Sequence, residues 1–234
     1  VTRDVPAPPL EIVSSMATRA LIEALAARYA DETGRPVRSQ AAGGVDVAKR
    51  VRAGESFDVV VLAHAAIEQL CADGKLRADT RVNLVQSGIA VGVAAGSAAP
   101  DISTEDRLRR AVLAARSLGL STGPSGQHLE RVFETWGILA EIRARIRIAP
   151  PGTPVAAWIA EGSVDLGFQQ LSELANVPGV AIAGSLPAAA QSFTVFAGAV
   201  GVASVQIDAA RDLLGFLASP AAAGIKRSHL LDPA

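Results

Sequence analysis

Three short polar stretches carry the residue types from which an anion site can be built: Ser14-Ser15-Met16, Gly43-Gly44-Val45 and Ser125-Gly126-Gln127. Each falls between a strand-like run and a helix-like run, where backbone N–H groups lack intrahelical partners and the helix dipole favours negative charge. Glycine admits a ligand close to the backbone and serine adds a hydroxyl donor, so such turns suit carboxylates or an oxyanion. Taken alone, each reads first as an ordinary helix cap. Their recurrence is what points to a ligand. Arg19, four residues beyond Ser15, is one helical turn on; its guanidinium fork either meets a carboxylate or lies in solvent, one of nineteen arginines beside three lysines. Asp46 would repel an anion and reads as a dipole partner of its helix. Gln169, with Gln170, follows Leu166-Gly167-Phe168 at a strand end, where a neutral amide can bind a carboxylate without adding charge.

Proton transfer near neutral pH falls to histidine, and the chain has three. His64 directly follows the run Val59 to Ala63, and His128 belongs to the first turn after Ser125, so both stand near strand ends; a surface or supporting role stays open for each. His229 near the tail has no such placement. No Gly-x-Gly-x-x-Gly turn, P-loop, Gly-x-Ser-x-Gly elbow or His-Glu-x-x-His helix occurs, which argues against dinucleotide, nucleoside triphosphate, serine-hydrolase and zinc-protease chemistry. The lone Cys71 forms no internal disulfide and no cysteine-based metal site, and neither a metal nor a cofactor is expected.

The elements that must position these residues alternate. Leu10 to Val13 predicts a strand, Leu21, Leu25 and Tyr29 a helix stopped by Gly34, Val37 to Ala41 a second strand, and Val47 and Val51 a second helix. Asp58 to Leu62, an apolar run after its first residue, reads as a buried parallel strand and Ala65 to Asp73 as its helix. A second set follows. It comprises strands at Ser117 to Leu120, Ile146 to Ile148 and Val164 to Phe168, and helices at Leu108 to Ala115, from Leu129 to Trp136 and at Val155 to Glu161. Long strands near residues 82–95 and 192–202 join the two sets, the first read as two runs, Val82 to Val85 and Gly88 to Gly96. The expectation is therefore two doubly wound α/β domains, residues 1–84 with 200–234 and residues 85–199, joined by two crossing strands with a ligand cleft between them.

Composition agrees. With 234 residues, 50% hydrophobic and 19% charged, the chain has ample material for packed cores and is not disordered. Twenty-two basic residues spread among 23 acidic ones leave no face for a phosphate backbone, so nucleic acid is an unexpected partner. No apolar run approaches the roughly 20 residues that span a bilayer. The chain opens on Val1 without a methionine, which fits a processed precursor and a trimmed chain alike, and no signal peptide remains from which to read a location.

With these turns placed, the chain resembles the type II periplasmic solute-binding proteins, in particular the branch of the molybdate-binding components of ABC transporters, which also includes aconitate isomerase. The resemblance runs through nearly the whole chain in the order Ile12 to Met16, Ala42 to Ala48, Phe57 to Ala63, Pro124 to Gly126 and Gly162 to Phe168. It implies a periplasmic monomer that holds a small anion and delivers it to an ABC transporter permease. In molybdate binders, hydroxyls and amides at the first two turns, with a tyrosine from the second domain, hold the oxyanion. Here Ser14 and Ser15 fit the first turn, Gly44-Val45 stands where a serine is usual, and Gln169-Gln170 follows the strand where the tyrosine is expected. The only tyrosine, Tyr29, falls late in the first helix. An organic di- or tricarboxylate that uses Arg19 and Gln169 besides the amides suits these departures. The isomerase branch implies the alternative, proton transfer between carbons of aconitate with His64 or His128 as base; a sensor module using the same cleft is a third class.

Overall fold

The computed structural model describes residues 7–150 and 152–234. Along the chain run β1 (Leu10–Ser15), α1 (Arg19–Thr33), β2 (Val37–Ala42), α2 (Gly44–Arg52), β3 (Val59–Ala63), α3 (His64–Ala72) and β4 (Val82–Ala94). Next come α4 (Glu105–Ala114), β5 (Leu118–Ser121), α5 (Pro124–Thr135), α6 (Leu139–Ile142), β6 (Ile146–Ala149), α7 (Val155–Ala160), β7 (Leu166–Gln170), α8 (Leu171–Leu174) and β8 (Val180–Ser185). Finally β9 (Phe193–Val200), α9 (Ile207–Ala218), α10 (Ala223–Ser228) and β10 (Asp232–Pro233) close the chain. Two compact units result, one from the chain up to Val85 together with Val195–Ala234, the other from Gln86–Thr194. The chain thus passes between units twice, within β4 and within β9.

In the first unit β2, β1 and β3 are parallel neighbours, Ser15 level with Ala42 and Ser14 with Val61, and β9 joins β3 antiparallel. Alternation along β1 sends Leu10 and Ile12 to a face packed by Leu21, Leu25 and Tyr29 of α1 and Leu213, Leu214 and Leu217 of α9. Val13 faces the other way, toward Val47 and Val51 of α2 and Ile67 and Leu70 of α3. Helices cover both faces, so the strands must be apolar on both, and β3 reads Val-Val-Val-Leu-Ala for that reason. A polar pin locks the opposite, amino-terminal end of β3. The buried Asp58 carboxylate accepts the Glu11 N–H at 2.9 Å and the Ser204 hydroxyl at 2.5 Å, and Gln206 Nε2 stands 3.4 Å away.

In the second unit β5 is parallel to β6 and β7, and β4 pairs antiparallel with β7 and β8. Phe168 of β7 meets Phe133 of α5 edge to face, with ring centroids 6.1 Å apart. The opposite face of the sheet packs on Val155 and Ile159 of α7. Two sequence expectations change. The two runs read around residues 82–96 are one continuous strand, because Gly88 does not break it; the space a Cβ would take there is filled by Phe193 and Gln191. Val180–Ser185 forms a further strand, whose half-buried to exposed side chains show no alternation and so carry little periodic signal.

Candidate functional site

In the first unit the three parallel strands end at one edge, and each delivers a helix start there: Met16–Thr18 forms a 3-10 turn into α1, Gly43 precedes α2, and Ala63 precedes α3. None of these starts is capped by the side chain of its own N-cap residue. Ser14 and Ser15 are buried at the tip of β1, and Ser15 Oγ lies 3.3 Å from Thr18 Oγ1. An added Cβ on Gly44 would lie 3.8 Å from Leu62 Cδ2 and 3.9 Å from Ser15 Cβ, so the first two turns lie side by side. Met16 is half-buried and Val45 is exposed. Arg19 is exposed, with Nε 3.3 Å from Glu23 along its own helix. His64 opens α3, but its ring is occupied: Nδ1 lies 2.8 Å from Asn83 Oδ1 and Nε2 lies 3.3 Å from Glu68 Oε1. The Arg81 guanidinium, hydrogen-bonded to Glu68, holds that carboxyl below its ordinary range.

In the second unit β5 runs into the start of α5 with Ser125 and Gly126 both buried. Ser121 Oγ lies 3.1 Å from Ser125 Oγ and accepts the Gly123 N–H at 3.3 Å. A Cβ on Gly126 would fall 1.8 Å from the Ser121 carbonyl oxygen, so this turn closes only around glycine. Gln127 is exposed and donates Nε2 to the Thr122 carbonyl at 3.2 Å. His128 donates Nε2–H to the Ala190 carbonyl at 2.9 Å, which leaves Nδ1 as the ring's basic nitrogen.

The glutamine pair divides its work by strand alternation. Gln169 points toward α7, where its Oε1 accepts the Ala156 N–H at 3.3 Å and its Nε2 donates to Glu173 at 2.8 Å. Both ends of that amide are held by the protein. Gln170 shares the α5 face with Phe168 and is 3% exposed; extending the β5–β7 register sets it level with Thr122, just before α5. Its Nε2 lies 2.8 Å from Thr194 Oγ1 while its Oε1 has no partner among the described residues. Because a threonine hydroxyl either donates or accepts, the amide turned over keeps this bond and offers an NH2 group instead. A buried, unused polar atom therefore stands at the end of β7.

Sequence reasoning passed over Thr194 and Glu173. Burial without a cation pushes the Glu173 carboxyl up to about 7, against the opposing hydrogen bonds from Gln169 and the Gln170 backbone. The signal was present in Leu166-Gly-Phe-Gln-Gln-Leu-Ser-Glu-Leu174, a single acid in a run with no other charge.

The family of bacterial extracellular solute-binding proteins matches residues 10–229. An aconitate isomerase of a Pseudomonas species is 37% identical over 224 residues, which is 93% of this chain and 85% of that protein. The periplasmic molybdate-binding protein of Azotobacter vinelandii superposes with a TM-score of 0.80 at 21% identity, covering 95% of this chain and 98% of the other. The tungstate-binding protein of Desulfovibrio alaskensis superposes with a TM-score of 0.69 at 16% identity, covering 97% and 99%. The fold is that of the type II periplasmic binding proteins, and among the described residues no helix is long and apolar enough to cross a membrane. Since the family match takes in every strand-to-helix turn described above, this chain belongs to the bacterial extracellular solute-binding proteins.

Proposed function

We propose that the protein binds a small organic tricarboxylate of the aconitate class and interconverts its cis and trans isomers. The observation that carries the reading is the 37% identity to an aconitate isomerase across 93% of the chain, well above the 21% shared with the molybdate-binding protein. The site residues support carboxylates over a metal oxyanion. Tyr29, the only tyrosine, is buried against Phe216 with ring centroids 5.5 Å apart and is spent on the core. In this reading the amides and hydroxyls around Ser14, Ser15, Met16, Gly43, Gly44 and Val45, and around Ser125, Gly126 and Gln127, hold the carboxylates, with Gln170 reading one more oxygen. Arg19 contributes if it leaves Glu23.

The isomerisation is an allylic proton shift. A base removes a proton from the methylene carbon; the electron pair spreads through the double bond into a carboxylate, and the same proton returns at the former vinylic carbon. Nothing is oxidised and no group leaves. His128, its tautomer set by Ala190, presents Nδ1 for that transfer, whereas both nitrogens of His64 already face acceptors. A second reading, a periplasmic receptor handing a carboxylate to an ABC transporter permease, is favoured by the family itself, whose members are extracellular solute binders. Incubation with cis- and trans-aconitate, citrate and molybdate, recording thermal shift and product together, separates the readings. A shift with isomer formation is expected. A shift without product supports the receptor, and a response to molybdate alone overturns both.

A further inference from the structure

Glu173 lies at the third position of α8, and the backbone of Gln170, the residue that caps this helix, favours the ionised form of its carboxyl. That is the reciprocal half of a capping box. The same carboxylate takes the Gln169 amide at 2.8 Å, and the other end of that amide takes the N–H of Ala156 in the first turn of α7. Through Gln169 one acid of α8 is therefore tied to the end of β7 and the start of α7. The elements around it carry no charge of their own. The strands against which α8 packs are Leu-Gly-Phe-Gln-Gln and Val-Ala-Ile-Ala-Gly-Ser, and α7 is Val-Ala-Ala-Trp-Ile-Ala. None carries a titratable side chain, so no neighbouring charge in those elements compensates the ionised form. A helix cap alone needs no such isolation; most capping glutamates lie in water.

We propose that Glu173 is a proton-linked positioning residue: the ionisation of its carboxyl decides how firmly Gln169 holds the first turn of α7 to the end of β7. Ionised, the carboxylate takes a charge-assisted hydrogen bond from Gln169 Nε2 and so keeps Gln169 Oε1 turned to Ala156. Protonated, the carboxyl loses the charge that strengthens its bond from Gln169 Nε2, which becomes a neutral hydrogen bond about half as strong. The start of α7 is then held less firmly. Burial raises this carboxyl toward neutrality, which sets the exchange in the physiological range. The effect on ligand affinity rests on the proposed function; the linkage between Glu173 and α7 does not.

Trp158 lies in α7, half-buried, beneath the Arg147 guanidinium at 4.8 Å from the ring centroid, and reports on that helix. The test is the fluorescence of ligand-free protein carrying Trp136→Phe, titrated from pH 5.5 to 8.5. A sigmoid with its midpoint near 7 is expected. It should vanish in Glu173→Gln, which preserves the cap, and in Gln169→Leu, which cuts the relay. Carbon-13 titration of the glutamate carboxyls in the otherwise unaltered chain supplies the second measurement should a variant fail to fold. A sigmoid that survives Glu173→Gln, or a Glu173 carboxyl that titrates below pH 5.5, overturns the proposal. Repeating the titration with trans-aconitate adds the ligand: loss of binding together with an intact sigmoid overturns the ligand reading while leaving the proton linkage standing.

Discussion

Gly126→Ala tests the construction of the second unit's turn most directly. The added Cβ falls 1.8 Å from the Ser121 carbonyl oxygen, and a carbon–oxygen contact relaxes only at about 3.3 Å. The first turn of α5 must therefore move by about 1.5 Å, because the oxygen belongs to the end of β5 and cannot swing away as a side-chain atom would. Overpacking of this kind costs about 1–3 kcal/mol, and a backbone obstacle places the variant at the upper end, about 3 kcal/mol. The same displacement carries the helix-start N–H groups out of hydrogen-bonding range of a bound carboxylate. Each such bond to a charged group is worth about 1.5–3 kcal/mol, so loss of one weakens binding by about tenfold to a hundredfold. Urea denaturation reads the first quantity and calorimetry with trans-aconitate the second. Gly215→Ala is the control: nothing lies within 4 Å of its Cβ position inside α9, and an interior helix glycine gains about 0.5–1 kcal/mol when replaced by alanine. A Gly126→Ala protein as stable as its parent, with affinity changed by less than about twofold, refutes the reasoning.

Asp58→Ala strips acceptors from the Glu11 N–H and the Ser204 hydroxyl in a buried setting and should lower stability by about 3 kcal/mol in urea, while Ser204→Ala alone should cost less. Glu173 makes stability fall as pH rises: its folded value, about 7, lies above its ordinary 4.5, so its contribution is full below pH 4.5 and is lost as pH climbs through 7. The loss amounts to about 3 kcal/mol at most, and unfolding of the parent and of Glu173→Gln at pH 5 and pH 8 should show it in the parent only. His128→Gln should lower aconitate turnover by about 10² to 10⁴ with binding retained, whereas His64→Gln should change turnover by less than about threefold; equal effects of the two would sink the assignment of His128.

Local pattern carried much of the architecture. Val59-Val-Val-Leu-Ala reads as a strand buried on both faces, Leu21, Leu25 and Tyr29 as one helix stripe, and serine or glycine between such runs as a helix start, because side-chain period and backbone freedom are properties of a few adjacent residues. What tertiary structure alone decided depends on residues distant in the chain. The continuity of β4 through Gly88 depends on Gln191 and Phe193, about a hundred positions later. The partners of the His64 ring, Asn83 and Glu68, and that of the His128 ring, Ala190, are likewise set by the fold. Of two adjacent glutamines, Gln169 is held at both ends while Gln170 keeps a free atom, a difference set by which face of β7 meets α7. Glu173 shows the division most plainly. Its isolation from charge was visible in sequence, but its proton affinity comes from desolvation, which exists only once β7, β8 and α8 have packed.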